Sequence, residues 1–308
     1  MHYVHKPVLL DEVIKALNIR SDGFYIDGTF GRGGHSREII KRLGDKGRLL
    51  AFDKDPDAVM SVGVDLIQDE RFEIIKGSFT MLMRYVKQHE IKKQVSGVLF
   101  DFGVSSPQLD DIKRGFSFRY DAPLDMRMNP TEGESASEWL NKASEKEIAD
   151  VIYKYGEERA SRKISKAIIK IRKKTPIHRT KQLAEIICKA IPSNKQDIHP
   201  ATKTFQAFRI YINRELDEIR DVLPQATDVL CKGGRLAAIS FHSLEDRIVK
   251  RFMRDQSKPK DQPLELPVAQ DYRDIKLKLV GKKIRPSEDE VSKNQRARSA
   301  LLRVAERC

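Results

Sequence analysis

The stretch FYIDGTFGRGGHS at residues 24–36 decides the fold class. Its first four residues form a short apolar run that ends at Asp27, and four glycines follow it before His35. A buried strand, a glycine-rich turn and a helix begin an α/β unit, because glycines let the backbone approach a ligand and a helix N-terminus offers free N–H groups. A glycine-rich turn without a ligand is the competing interpretation, because one such turn is a weak signal.

Further strands follow along the chain, separated by segments of helical periodicity. The apolar runs of strand length are 48–53, 72–76 and 95–100. Strands that alternate with helices predict a parallel sheet with right-handed crossovers, and ligands bind beyond the carboxyl ends of such strands. Asp27, Asp53 and Asp101 lie at the ends of their runs, so we expect all three at the ligand-binding edge.

The pattern changes after Gln108. Residues 111–135 are rich in Gly, Pro, Asp and Arg and predict a long loop, whereas 141–191 predict helices. Pro200 begins a further predicted helix whose apolar stripe runs through Ile219. This part of the chain predicts an α-helical insertion.

Strand character returns at 234–240, followed by a predicted helix at 244–253 and a loop at 255–275. The last strands are predicted at 276–280 and 299–304. We therefore predict an α/β fold with a mostly parallel sheet and an inserted α-helical domain. The predicted domains are 1–110 with 214–308, and the insertion 111–213.

The positive charge is unevenly distributed. The net charge is +13, but residues 1–110 carry 16 basic and 16 acidic side chains. Residues 141–181 carry 13 basic and 5 acidic side chains, and residues 271–308 carry 11 and 6. This division favours a small-ligand site in the first part and a polyanion-binding surface in the second, although solvated helix faces would also be basic.

Composition excludes several classes of protein. Mean hydropathy is −0.52 over 308 residues, and no apolar run reaches the roughly 20 residues that span a bilayer. The first residues, MHYVHKPVLLDEV, do not read as a signal peptide. Cys188, Cys231 and Cys308 lie far apart, which disfavours a disulfide framework or a zinc site. We expect no metal, no membrane and a cytoplasmic location.

The residues near the glycine-rich turn indicate which cofactor binds there. Asp53 lies about twenty residues beyond it, where an acid accepts hydrogen bonds from adenosine ribose hydroxyls. The glycine spacing departs from G-x-G-x-x-G, which disfavours a nicotinamide dinucleotide. S-adenosylmethionine needs an acid, apolar contacts and polar groups, and we expect Phe79 beside its adenine and Asp101 beside its ammonium group.

The segment DFGVSSPQ at 101–108 concentrates polar groups where a methyl acceptor would lie. Methyl transfer is an in-line displacement, so alignment dominates its catalysis. An amine conjugated to a ring is a poor nucleophile, and acceptors on its N–H groups would activate it. Asp101, Ser105 and Ser106 are the candidates, while a capped turn is the structural alternative.

Five segments resemble one known family. DGTFGRGGHS at 27–36 and DFGVSSPQLD at 101–110 are similar to signatures of the bacterial ribosomal RNA small-subunit methyltransferase H (MraW) family. The likeness continues, in the family's order, through 199–213, 239–247 and 294–299. It implies a class I S-adenosylmethionine-dependent methyltransferase domain, Rossmann-like, with an inserted helical domain for substrate recognition.

The resemblance also implies an activity and a site. The activity is N4-methylation of a cytidine in the decoding region of 16S ribosomal RNA, with S-adenosylmethionine as donor and RNA, within the small ribosomal subunit, as partner. His35 and Gln108 enter the site on this ground alone. The positions that match the family's cofactor site are Gly33, Gly34, His35, Asp53, Phe79, Asp101 and Gln108.

His242 is a fourth candidate catalytic residue, beside Asp101, Ser105 and Ser106. It follows the predicted strand 234–240 in the segment SFHS, where a substrate-facing role competes with helix capping by Ser243 and Asp246. The basic residues of 159–174 are the predicted RNA-binding surface.

Three other activities compete with this interpretation. A DNA amino-methyltransferase would carry a Pro-Pro-Tyr or Pro-Pro-Trp acceptor motif, which 101–108 lack. A C5-cytosine enzyme needs a cysteine nucleophile in its acceptor loop, and no cysteine lies near 101–108. An RNA-binding assembly factor could use the adenosine pocket as a sensor only, and a turnover measurement separates it from an enzyme.

Overall fold

The chain forms two compact units in a computed structural model. One unit joins Met1–Gly103 to Leu216–Cys308, and the other is the continuous segment Val104–Glu215. The domain boundaries predicted from the sequence, after residues 110 and 213, lie seven and two residues from these. The structure describes residues 7–91, 94–191, 199–259 and 275–308.

The described residues of the first unit form a seven-stranded sheet. Its strands are β1 (Phe24–Asp27), β2 (Arg48–Asp53), β3 (Phe72–Lys76), β4 (Val95–Asp101), β5 (Leu230–Ser240), β6 (Leu277–Leu279) and β7 (Leu301–Arg307). They lie in the order β3-β2-β1-β4-β5-β7-β6. Strands β1 to β5 pair in parallel, whereas β7 pairs antiparallel with β5 and β6. The predicted, mostly parallel sheet is confirmed.

The central strands are easy to predict from the sequence, because both faces of a parallel sheet are covered and its strands are therefore apolar throughout. Residues 95–100 of β4 are all buried, as are residues 49–52 of β2. Such strands are continuous apolar runs, and β1, β2 and β3 have the predicted bounds. Strand β5 begins four residues earlier than predicted, at Leu230 rather than 234.

Helices of this unit connect and cover the strands. Numbered in chain order through both units, they are α1 (Leu10–Leu17), α2 (Gly34–Ile40), α3 (Pro56–Met60), α4 (Val64–Ile67), α5 (Leu82–Gln88), α12 (Glu215–Val229, from Leu216 onward), α13 (Ser243–Gln256) and α14 (Glu288–Lys293). Helix α1 was not among the elements predicted from the sequence. Its Val13 and Leu17 are buried in the same apolar cluster as Tyr25 and Leu99. None of the described helices is long and apolar enough to cross a membrane.

The second unit is helical. Its helices are α6 (Ser106–Asp110), α7 (Ala136–Lys142), α8 (Glu145–Gly156), α9 (Ser161–Arg172), α10 (Thr180–Ala190) and α11 (Ala201–Ile212). Ser135 and Ser144 begin α7 and α8 with capping boxes, in which serine and glutamate satisfy free N–H groups. Buried isoleucines on one face of α9 contribute to the core of this unit, so its basic residues face outward.

The single helix predicted from Pro200 through Ile219 is wrong, because the chain breaks it after Ile212. Arg214 has a left-handed φ of 51°. The Asn213 side chain forms hydrogen bonds with the loop segment around Met126 and Met128. Its Oδ1 accepts from the Met128 N–H at 2.7 Å, and its Nδ2 donates to the Met126 carbonyl at 2.7 Å. The segment 111–135 is mainly loop, as predicted, with a 3₁₀ turn at Ile112–Arg114. Most of the loop predicted at 255–275 lies outside the described residues.

Candidate active site

Three aspartates end neighbouring strands at one edge of the sheet. Asp27, Asp53 and Asp101 are the last residues of β1, β2 and β4. These strands are adjacent and parallel in the order β2-β1-β4, so their carboxyl ends meet. The placement matches the one predicted from the sequence.

Asp27 joins the glycine-rich loop to α2. Its Oδ2 accepts a hydrogen bond from the Ser36 hydroxyl at 2.7 Å, and its Oδ1 accepts from the Thr29 N–H at 3.1 Å. The side chain is buried, and burial raises its pKa to about 6. Both oxygens have partners within the protein, so we assign Asp27 to holding the loop.

Packing explains two of the loop glycines. A Cβ at Gly28 would lie 2.3 Å from the Phe100 ring, and one at Gly34 would lie 2.1 Å from Pro7. Gly33 begins α2 with a left-handed φ of 72°, which glycine adopts without strain. Larger side chains at these positions would displace the loop from the sheet edge.

Asp53 ties the loop after β1 to the loop after β2. Its Oδ2 accepts from the Gly31 N–H at 2.8 Å, and its Oδ1 accepts from the Asp55 N–H at 2.8 Å. Desolvation outweighs these hydrogen bonds and raises the pKa of Asp53 to about 6. The side chain is half-buried, and nothing packs within 4 Å of a Cβ placed on Gly31. A ligand could therefore approach the loop beside this carboxylate.

Phe79 belongs to an aromatic cluster at the same edge. Its ring centroid lies 5.5 Å from Phe100 and 6.0 Å from Phe102, in edge-to-face geometry. The Ser78 hydroxyl caps the 3₁₀ turn that carries Phe79, and the ring is half-buried. The sequence analysis missed Phe100 and Phe102 as its partners. Their spacing of two residues at the end of a strand was the available signal.

Asp101 carries an unsatisfied acceptor. Its backbone N–H donates to the Thr29 hydroxyl at 2.6 Å, but its buried Oδ1 has no hydrogen-bond partner among the described residues. Burial, followed by the charges of Asp27 and Glu245, raises the pKa of Asp101 to about 8. A cation or an N–H donor at this oxygen would remove the cost of its burial.

His35 is a neutral neighbour of Asp101. Its Nε2 lies 3.2 Å from the Val8 carbonyl, which can only accept, so Nε2 carries the proton. Its Nδ1 lies 4.0 Å from Asp101 Oδ2. Desolvation lowers the pKa of His35 to about 4, so its ring carries no charge at neutral pH. His35 therefore supplies no cation to Asp101.

Ser105 and Gln108 hold each other in the second unit. The Ser105 hydroxyl accepts from the Gln108 N–H at 3.5 Å, and Gln108 Oε1 accepts from the Ser105 N–H at 2.9 Å. This capping box begins α6, and Ser106 is the first residue of that helix. Both Ser105 and Gln108 thus have a structural role, which is the capped turn considered above.

His242 begins α13 as its capping residue. Its Nδ1 accepts from the Glu245 N–H at 3.5 Å, and Glu245 Oε2 accepts from the Phe241 N–H at 2.7 Å. His242 Nε2 lies 3.2 Å from Glu245 Oε1, and Glu245 is fully buried. Glu245 was not predicted as part of the cap, although its position three residues after His242 is a capping-box signal.

The predicted cap formed by Ser243 and Asp246 is wrong. His242 and Glu245 form it instead, because α13 begins at Ser243, one residue earlier than a cap at Ser243 requires. Asp246 makes a paired contact with Arg303 of β7, at 2.7 and 3.0 Å.

The second unit carries a face of exposed cations on and beside α9. None of them forms an ion pair with a described residue, whereas Arg172 is half-buried and donates to the Leu140 carbonyl. Arg172 is thus partly structural. The exposed cations are Arg159, Arg162, Lys163, Lys166, Lys170, Lys173 and Lys174.

Comparisons with known proteins identify the family. The MraW methylase family profile matches residues 2–308. A Coxiella burnetii protein (strain Dugway 5J108-111) and a Nitrosococcus oceani protein, both named ribosomal RNA small subunit methyltransferase H, are 53% and 55% identical. The matches cover 98% of this chain in each case, and 98% and 96% of those proteins.

A solved rRNA methylase from Streptococcus thermophilus has a TM-score of 0.42 and 11% identity, over 97% of this chain and 93% of that one. The predicted fold, a class I methyltransferase-type sheet with a helical insertion, is confirmed by the strand order and the units described above. Because the profile and both relatives extend over nearly its whole length, this chain belongs to the MraW methylase family.

Proposed function

We propose that this protein transfers a methyl group from S-adenosylmethionine to N4 of a cytidine in the decoding region of 16S ribosomal RNA. The names of its two relatives describe the more general activity, methylation of small-subunit ribosomal RNA, for those proteins. The observation that carries the chemistry is the unsatisfied Oδ1 of Asp101 at the carboxyl end of β4.

The residues of the first unit fit the methyl donor. Asp53 would accept hydrogen bonds from the ribose, Phe79 would contact the adenine, and Asp101 would bind the ammonium group. Gly33 and Gly34 pack against Phe30 and Pro7, which holds the loop at the sheet edge, and the open position at Gly31 would let the donor approach the loop. When bound, the donor supplies an electrophilic methyl group on a sulfonium.

The protein's own part in the reaction is alignment and proton handling. The amine nitrogen that gains a methyl group must lose a proton, and acceptors on its N–H groups would make it more nucleophilic. Asp101 is our first candidate, as an alternative to its role at the ammonium group, because its carboxyl has a pKa of about 8 in the ligand-free protein and exchanges its proton near neutral pH. Ser105, Ser106 and His242 stay candidates, and the capping contacts of Ser105 and His242 would have to be shared with substrate.

The exposed cations of α9 support RNA as the partner. Exposed cations without ion-pair partners are available to phosphates, and phosphate contacts supply most of the affinity for a nucleic acid. Two basic residues of the C-terminal stretch are paired instead, since Arg303 contacts Asp246 and Lys276 contacts Asp228. We therefore place the RNA-binding surface on the second unit.

Nucleoside analysis of small-subunit RNA tests this function. RNA from cells lacking the protein should lose one N4-methylated cytidine species, and purified protein with S-adenosylmethionine should restore it. Methylation of DNA instead would favour the amino-methyltransferase that acts on DNA. Unchanged nucleosides in both experiments would contradict the proposed function.

Replacing Asp53 by alanine should weaken S-adenosylmethionine binding by about ten- to a hundredfold. Charge-assisted hydrogen bonds contribute about 1.5–3 kcal/mol each, and 1.4 kcal/mol is a factor of ten. Titration calorimetry on the wild type and Asp53→Ala measures the change, with circular dichroism to check the fold. Equal affinities would remove Asp53 from the site.

A further inference from the structure

One half-buried face of α12 contacts two loops of the candidate cofactor site. Glu218 Oε2 lies 2.7 Å from Lys54 Nζ, and Glu218 Oε1 accepts from the Ser78 hydroxyl at 3.1 Å. Lys54 directly follows Asp53, and Ser78 directly precedes Phe79. A single carboxylate thus joins the loop after β2 to the loop after β3.

The same face of α12 also contacts the chain just after the Phe79 turn. Gln225 lies seven residues after Glu218, two helical turns along α12, and its Oε1 accepts from the Met83 N–H at 2.9 Å. The turn Phe79–Met81 is therefore held at both of its ends by α12. Within it, the Ser78 hydroxyl also accepts from the Thr80 N–H at 3.2 Å.

The ion pair is sheltered from water. The side chains of Lys54 and Glu218 are 19% and 17% exposed, so solvent screens their attraction less than it would at the surface. Removing one charge from such a pair leaves the other partly desolvated without its partner. The two loops would then lose their common anchor.

We propose that Glu218 is a positioning residue that sets the spacing between Asp53 and Phe79, and so the affinity for the adenosine part of the methyl donor. It acts through Lys54 and Ser78 and needs no contact with the ligand. This inference rests on the proposed function, because it takes these loops as the adenosine-binding loops.

Glu218→Gln tests the inference, because it keeps the shape and removes the charge. Its matched control is Asp217→Asn on the same helix turn, where the carboxylate is 46% exposed and pairs with Arg220. By analogy with residues that orient metal ligands, we expect Glu218→Gln to weaken S-adenosylmethionine binding roughly tenfold. The control should bind normally. The KM for the donor should rise while kcat at saturating donor stays the same.

The ligand-free protein gives an independent measurement. Hydrogen exchange at the amides of residues 78–83 should be faster in Glu218→Gln than in the wild type and the Asp217→Asn control. Lys54→Met should reduce affinity similarly, and the double variant should lose little more than either single variant, because one ion pair is removed. If Glu218→Gln does not fold, Lys54→Met carries the same expectation.

The outcomes separate the inference from the proposed function. If the wild type binds the donor and Glu218→Gln binds within twofold of it, the inference is wrong. Equal losses in Asp217→Asn, or additive losses in the double variant, would also overturn it. If the wild type does not bind S-adenosylmethionine, the proposed function fails instead.

Discussion

Reversing four charges on α9 is expected to weaken ribosomal RNA binding by on the order of a hundredfold or more. The variant combines Arg162→Glu, Lys163→Glu, Lys166→Glu and Lys170→Glu, all on exposed cations without described ion-pair partners. Each phosphate contact contributes about −0.7 to −0.9 to the slope of log K against log salt. Loss of these contacts should therefore flatten the slope, as a salt titration of RNA binding would show.

The donor isotherm serves as the internal control. S-adenosylmethionine binding should be unchanged in this variant, because its substitutions lie on α9. The cofactor candidates Asp53, Phe79 and Asp101 lie in the first unit, and Gln108, in the second unit, lies on α6. A matched reversal of Lys278, Lys282, Lys283 and Arg285, which are also exposed, should leave the RNA slope near the wild-type value. If the α9 variant has the wild-type slope, its cations only solvate the helix, and the basic stretch 276–303 becomes the next surface to test.

Replacing Asp101 by asparagine is expected to weaken S-adenosylmethionine binding by about ten- to a hundredfold and to lower turnover. The substitution keeps the shape but removes the charge that would pair with the ammonium group. Titration calorimetry and single-turnover kinetics separate two roles. If the affinity holds while single-turnover chemistry slows, Asp101 acts on the target amine instead. Wild-type values for both would contradict either role.

The pH dependence of binding gives Asp101 a second signature. The pKa of about 8 means that the free protein holds this carboxyl protonated below pH 8, whereas a cationic ligand pairs with the ionised form. Binding must therefore release a proton below pH 8, and affinity should rise with pH up to about 8 and then level off. Asp27 and Asp53, with pKa values of about 6, and His35, at about 4, have largely titrated by pH 7, so the rise in affinity between pH 7 and 8 is the part that reports Asp101.

Asp101→Asn is the control for this signature. Its affinity should not rise between pH 7 and 8, because the titrating carboxyl is gone. A rise of the wild-type size in the variant would mean that another group, or the ligand itself, releases the proton. Calorimetry in two buffers of different ionisation enthalpy measures the protons released.

Much of the sheet could be predicted from the sequence, because the residues that specify each strand lie next to one another in the chain. A buried parallel strand is a short apolar run bounded by turn residues, so β1, β2 and β3 were predicted with their observed bounds. Aspartates at the ends of those runs could be placed at one edge, because parallel strands share a direction. The unpredicted α1 shows the limit, since its start depends on a contact between the Leu9 N–H and Glu290 Oε1, 281 residues away.

The contacts within the candidate site could not be predicted, because they join residues that lie far apart in the sequence. Asp53, Phe79 and Asp101 are readable as residue types, but the pKa of Asp101 depends on burial and on the charge of Glu245, 144 positions along the chain. The break after Ile212 depends on Asn213 holding Met126 and Met128, and the anchor of Lys54 is Glu218, 164 residues later. Desolvation and hydrogen bonding follow distance in space, so sequence periodicity predicts the strands, whereas folding of the chain sets the charges and anchors of the site.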